Sequence, residues 1–208
     1  MSSEDRIRKN VGDYYTGKVR DHGATPQGVD WNGEASQHLR FHTLLNVVQD
    51  STKPFSLLDF GCGYGSMHGF MQQRFEAFRY TGYDISDAMI AEAKKLHPTG
   101  TAEWTTQRGD ATYDYIVASG IFNVRLQTDE TAWWNYICDE LDWMNAHAAK
   151  GFSFNMLTSY SDADRMRDYL YYANPAAVFD RCKVKYSKFV ALLHDYPLYE
   201  FTILVRKA

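Results

Sequence analysis

The sequence predicts an α/β fold, a three-layer sandwich in which a seven-stranded, mostly parallel sheet carries helices on both faces. Three observations predict it. Short apolar runs alternate with amphipathic stretches from residue 57 onward, as strands do when crossover helices join them. The first run ends on Gly61, Gly63 and Gly65, which turn a buried strand sharply into a helix and let a ligand lie against bare backbone. The second run ends on an acid, Asp84, where open α/β sheets bind ligands beyond the carboxyl ends of their strands.

The elements follow in order. Residues 56–60 form the first strand and 66–75 its helix. The aromatic and β-branched run from Phe78 ends at Asp84, Ser86 and Asp87 offer caps, and an alanine-rich helix over 87–96 stops at His97-Pro98-Thr99-Gly100. A weaker third strand covers 102–106, and 115–119 is a clear fourth; too little chain separates them for a full helix. The longest helix is predicted over 129–149, with Trp133, Trp134, Ile137, Leu141 and Met144 at near-helical spacing, the stripe of a core helix. A fifth strand over 151–157, a short helix over 175–182 capped by Asn174, and strands over 188–194 and 198–206 joined through Asp195-Tyr196-Pro197 complete the chain. A helix over 34–49 precedes the first strand. At 208 residues and 45% hydrophobic content, the chain suffices for one core, so residues 1–208 read as a single domain with an amino-terminal extension over 1–35.

The spacing of the glycine turn narrows the ligand. A dinucleotide fingerprint, G-x-G-x-x-G, needs its third glycine where Ser66 stands, and a phosphate-cradling loop needs a Gly-Lys-Ser/Thr ending that is absent. The run Leu58-Asp59-Phe60-Gly61-Cys62-Gly63-Tyr64-Gly65 instead resembles the first motif of the class I S-adenosylmethionine-dependent methyltransferases, and glycine turn, amphipathic segment and Asp84 fall in that family's order and spacing. The resemblance covers residues 36–208 and implies a Rossmann-like core whose reversed last strand inserts into the sheet. It also implies S-adenosylmethionine as cofactor and S-adenosylhomocysteine as product.

Several residues gain expected roles. Asp59, Gly61, Cys62, Gly63 and Gly65 would border the cofactor, with Asp84 accepting from both ribose hydroxyls and Ile85 beside it. Gly109-Asp110-Ala111 is similar to the family's adenine-contacting segment, with Gln107-Arg108 as the competing placement. Ser119 and Gly120 follow the fourth strand, where the family borders the transferred methyl group; Asn123 there offers both donor and acceptor. By the same resemblance residues 1–35 fold over the site as a lid. Tyr14, Tyr15, Trp31 and Arg40 then contact either the methionine part of the cofactor or the acceptor, the alternative being a flexible terminus with a helix docked beneath the sheet.

Composition bears on the acceptor. A net charge of -4 supplies no basic stripe for a long nucleic-acid interface but suits a cationic cofactor. Ser119-Gly120-Ile121-Phe122 also lacks the Asp/Asn-Pro-Pro-aromatic signature of amino-methylating DNA enzymes. The expected partner is a small-molecule methyl acceptor, methylated at oxygen or nitrogen, rather than duplex nucleic acid or a membrane; a tRNA or protein methyltransferase and a non-catalytic cofactor-binding subunit are the alternatives. Among the histidines, His194 beside Asp195 is the most base-like, with a turn-structuring role as its alternative. Arg165 and Arg167 either bind a carboxylate or phosphate or remain solvated. Cys62, Cys138 and Cys182 are isolated and odd in number, giving neither a metal signature nor a disulfide framework, and with no membrane span or signal sequence the expectation is cytoplasmic residence.

Overall fold

Burial that alternates between two faces decides the architecture. In the strand β1 (Phe55–Phe60) Leu57 packs into one apolar cluster and Leu58 into another; in β4 (Tyr113–Ala118) Val117 and Ile116 divide in the same way. A sheet buried on both faces needs helices on both. One side is covered by α5 (Glu130–His147) and α6 (Pro175–Lys185), through Trp133, Ile137, Leu141, Val178 and Cys182. The other is covered by α2 (Glu34–Leu44), α3 (Ser66–Gln72) and α4 (Asp87–Leu96), through Leu44, Met67, Met71, Ile90 and Ala93.

The structure, a computed structural model, describes residues 2–29, 31, 33–98, 100 and 102–208. Asn32 and Thr99, parts of the predicted amino-terminal segment and of the stop after the 87–96 helix, lie outside the described residues. The other strands are β2 (Phe78–Tyr83), β3 (Ala102–Thr105), β5 (Ala148–Leu157), β6 (Phe189–Leu193) and β7 (Glu200–Arg206). Their order is β3-β2-β1-β4-β5-β7-β6, and β7 runs antiparallel to both β5 and β6 while the pairs among β1 to β5 are parallel. The expected seven-stranded sheet with its reversed last strand is what forms. The chain order reverses between β1 and β4, which opens a crevice at their carboxyl ends.

The largest departure from the sequence reading is at the amino terminus. Within residues 1–35, expected as a lid or a flexible terminus, the chain forms a 20-residue helix, α1 (Ser3–His22). Ser2 caps it reciprocally with Asp5, satisfying two otherwise orphaned amides. Ile7 and Val11 are buried in the core, Tyr15 packs against it, and Val19 is buried farther along the same stripe at every fourth residue. Smaller differences sit at element ends. The predicted 34–49 helix stops at Leu44 and tightens into a 3-10 turn (Leu45–Val47), and β5 starts at Ala148, with no linker after α5. The β3 to β4 connection contains no helix, as its length predicts.

Candidate active site

The crevice becomes a cavity because two strand ends are tied together. The amides of Gly61 and Cys62 both donate to the Tyr83 carbonyl at 2.8 and 2.9 Å, which fixes the glycine turn of β1 to the end of β2. Asp84 then acts as a hub: Oδ2 accepts from the Gly63 amide at 2.8 Å and Oδ1 from the Ser86 amide at 2.9 Å. Ser86, not Asp84, caps α4 by accepting from the Met89 amide. The Ser86 hydroxyl also meets Thr16 of α1 at 2.7 Å, so α1 lies over the mouth of the site.

Around this frame the cavity is lined by Asp59, Gly61, Cys62, Gly63, Asp84, Ile85, Ser119, Gly120 and Trp31, all expected from the sequence. Arg8, Val11 and Tyr15 of α1, Gln37 of α2 and Tyr136 of α5 join them. Gln37 is missed by sequence reasoning; its Oε1 accepts from the hydroxyls of Tyr64 and Ser66, each at 3.2 Å. Arg8 and Tyr136 are missed too, because the sparse apolar stripe of α1 gives no strong helical signal and Tyr136 lies within a stripe whose spacing marks it as core.

Four expectations are corrected in placement. Gly65, at φ +83°, does not line the cavity; a Cβ there would come within 2.4 Å of the Trp104 ring, so this glycine serves the packing behind the turn. Asp110 and Ala111 are exposed and outside the lining, because the short β3 to β4 connection turns away and carries Arg108 to Glu140 instead. Tyr14 is absent from the lining while Tyr15 is present, since one residue along a helix is a turn of about 100° off the Ile7 to Val19 stripe. His194 is exposed, beside Tyr160 and Phe201: it follows β6, three strand spacings of about 4.8 Å from β4.

Electrostatically the cavity is acidic and poised. Asp59 is 2% exposed, and burial pushes its carboxyl up to about 7, against the 2.5 Å bond from the Tyr80 hydroxyl and aided by the nearby charge of Asp84. Burial likewise raises Asp84 to about 6, opposed by the amides of Ser86, Gly63 and Ile85. Burial pushes the Cys62 thiol up, which keeps it protonated and no nucleophile. Asp59 Oδ1 and Ser119 Oγ are buried with no hydrogen-bond partner among the described residues. Two buried carboxylates and a free hydroxyl suit a cationic, hydroxyl-bearing ligand.

Across the site a buried acid anchors α1. Glu140 of α5, 1% exposed, pairs with Arg8 of α1 and, at 2.9 Å, with Arg108, whose guanidinium lies 4.2 Å above the Trp143 ring.

A second cavity adjoins the first, sharing Tyr15, Val29, Trp31 and Gly120 with it. It holds Asn123, whose Oδ1 accepts from the Leu157 amide at 3.1 Å, and the buried pair Arg40 and Glu200, 2.6 Å apart. The Arg40 guanidinium lies 3.8 Å from the centre of the Trp31 ring, whose far edge closes on Gly120. Among the described residues no histidine lines either cavity, no three His, Cys, Asp or Glu groups gather as a metal site, and no helix is long and apolar enough to cross a membrane.

Known proteins resemble this arrangement. A family model for a methyltransferase domain matches residues 58–137. Rv1506c of Mycobacterium tuberculosis (strain ATCC 25618 / H37Rv), which itself carries a methyltransferase name, is 53% identical over 163 residues, 77% of this chain and 98% of that protein. In fold, the magnesium protoporphyrin IX methyltransferase of Synechocystis PCC 6803, solved with bound SAM, superposes with a TM-score of 0.64 at 14% identity, over 100% of this chain and 98% of that one. The N-methyltransferase NodS of Bradyrhizobium japonicum WM9, solved with S-adenosylhomocysteine, gives 0.63 at 17% identity over 95% and 98%. With that degree of sequence identity on a sheet and glycine turn of this kind, the chain belongs to the class I S-adenosylmethionine-dependent methyltransferase family.

Proposed function

We propose that this methyltransferase acts on a small molecule, at an oxygen or nitrogen atom, held in the second cavity. The observation that carries the reading is the shared wall: Tyr15, Val29, Trp31 and Gly120 face both cavities, so the second opens onto the first where β4 ends. The cofactor supplies a methyl group already activated on a sulfonium. What remains for the protein is orientation and exclusion of water.

Each part of the site has a task in that scheme. Asp84 takes the ribose hydroxyls with the lone pairs its amide donors leave, and Asp59 stabilises positive charge with its unpartnered oxygen. Gly61 and Gly63 let the cofactor approach the backbone, Cys62 and Ile85 pack beside it, and Ser119 borders the reacting methyl. Helix α1, with residues 1–35 as a lid over a core of 36–208, shuts out water by way of Thr16 on Ser86 and Arg8 on Glu140. Asn123 orients the acceptor rather than the cofactor. His194 has no role in the transfer, and neither do Asp110 and Ala111.

A protein of net charge -4, with one buried and one exposed arginine lining this cavity, lacks the basic stripe that duplex nucleic acid or an anionic membrane surface needs. The test is methyl transfer from labelled S-adenosylmethionine to fractionated cell extract. Label should enter the solvent-extractable small-molecule fraction; label confined to tRNA or protein refutes the reading.

A further inference from the structure

Resting on the reading that the second cavity holds the acceptor, we infer that the acceptor carries a carboxylate and that Arg40 receives it. Arg40 is 7% exposed in the middle of α2, and its Nη1 has no hydrogen-bond partner among the described residues. Its Nε faces Glu200 at 2.6 Å, and Glu200 in turn accepts from the Asn155 amide. So the pair with Glu200 gives Nε an ion-pair contact without hydrogen-bond geometry and leaves Nη1 buried with no acceptor at all among the described residues. A buried charged donor in that state is costly, and the cost is relieved when a ligand brings an oxyanion to it.

Placement separates the acceptor from the cofactor as the source of that oxyanion. Arg40 lines only the second cavity, and the Trp31 ring stands between its guanidinium and the Gly120 turn. The charge of the lining bears on the anion: Arg40 and Arg165 against Glu200 sum to +1 (two positive, one negative), with Arg165 exposed and 3.7 Å from Asp164 outside the lining. One positive charge balances a carboxylate, whereas a phosphate brings about -1.5 to -2. Tyr169, Tyr172 and Tyr199 wall the same space with Trp31, which suits a flat, ring-bearing body behind the carboxylate.

Benzoate is the probe, and benzamide its uncharged counterpart. Both are titrated by calorimetry into protein saturated with S-adenosylhomocysteine, in the wild type and in Arg40→Lys. Lysine keeps a charge opposite Glu200 but has no second nitrogen at the Nη1 position, so the fold survives while the receptor is lost. The wild type should bind benzoate at least about tenfold more tightly than benzamide, and the variant should lose that preference. Its S-adenosylhomocysteine affinity should stay within about threefold of the wild type. A double variant, Arg40→Gln with Glu200→Gln, removes both buried charges and should behave as Arg40→Lys does.

Equal binding of benzoate and benzamide by the wild type overturns the inference. So does a loss of S-adenosylhomocysteine affinity in Arg40→Lys with 5′-methylthioadenosine binding unchanged, which would assign Arg40 to the cofactor's own carboxylate. Either result leaves a small-molecule acceptor standing. Label found only in tRNA or protein removes that reading and this inference together.

Discussion

Lowering the pH from 8 to 5 should weaken S-adenosylmethionine binding far more than S-adenosylhomocysteine binding, because only the former brings a sulfonium to Asp59. In the free protein burial holds Asp59 at about 7 and Asp84 at about 6. At pH 5 a group with a pKa near 7 is ionised about one time in a hundred, so an interaction that needs its charge loses about 100-fold, or about 2.7 kcal/mol. Asp84, about tenfold short of full ionisation at that pH, takes the ribose that both ligands share in the proposed arrangement. S-adenosylhomocysteine should therefore weaken about tenfold and S-adenosylmethionine about 1,000-fold over this range, and Asp59→Asn should flatten the second curve onto the first. Calorimetric titrations at four pH values measure this. Parallel curves for the two ligands, or flat ones, would show that Asp59 does not read the sulfonium.

The stability of the free protein should run the other way. A carboxyl whose folded pKa lies above its unfolded one stabilises most when protonated, so this contribution is whole below about pH 4 and is lost as pH rises through about 6 to 7. The ligand-free enzyme is strained where the cofactor-bound enzyme is relieved.

Three further perturbations probe other parts of the site. Gly120→Ala places a methyl group 2.4 Å from the Trp31 ring at φ +75°; this should cost about 1–3 kcal/mol by thermal melting and at least about tenfold in S-adenosylhomocysteine affinity, and an unchanged affinity would detach Trp31 from the cofactor. Glu140→Gln strands Arg8 and Arg108, so the protein should lose about 3 kcal/mol in urea denaturation, and a loss below about 0.5 kcal/mol would make the buried triad energetically silent. His68, 1% exposed and with its Nδ1 3.3 Å from that of His97, is lowered to about 4 by burial and then by the neighbouring ring, with His97 lowered too. The stability this neutral pair contributes is present above pH 6.5 and lost as pH falls toward 4; ring-proton NMR should find His68 uncharged at pH 5, and a midpoint near 6.5 would refute the placement.

What was legible in the sequence follows from what chemistry is local. Leu57, Leu58, Ile116 and Val117 declare strands buried on both faces because apolar residues stand at successive positions, one for each face. Gly61, Gly63 and Asp84 declare the cofactor because glycine turn and acid stand at two successive strand ends, in the order and spacing of the family motif. Helix α1 escaped because Ile7, Val11, Tyr15 and Val19 are each separated by three mostly polar residues, although Ser2 and Asp5 at capping-box spacing marked its start. The partnership of Arg40 with Glu200 spans 160 positions, and no local pattern records which helix faces which strand. Asp110 and His194 failed for the same reason: each sits at the right kind of chain position, but the short β3 to β4 connection and the edge placement of β6 take them elsewhere.

On the proposed reading of α1 as a lid, the two arginines on Glu140 bear on how the site opens. If Arg8 alone held this acid, lifting α1 would leave a carboxylate buried without a counterion, a penalty of about 3–5 kcal/mol that would make opening rare. Arg108 comes from a different segment and stays in place when α1 leaves. Glu140 thus keeps a spare partner, so in the proposed lid role α1 lifts for exchange of cofactor and product without stranding this charge. The redundancy trades some grip on the closed state for turnover.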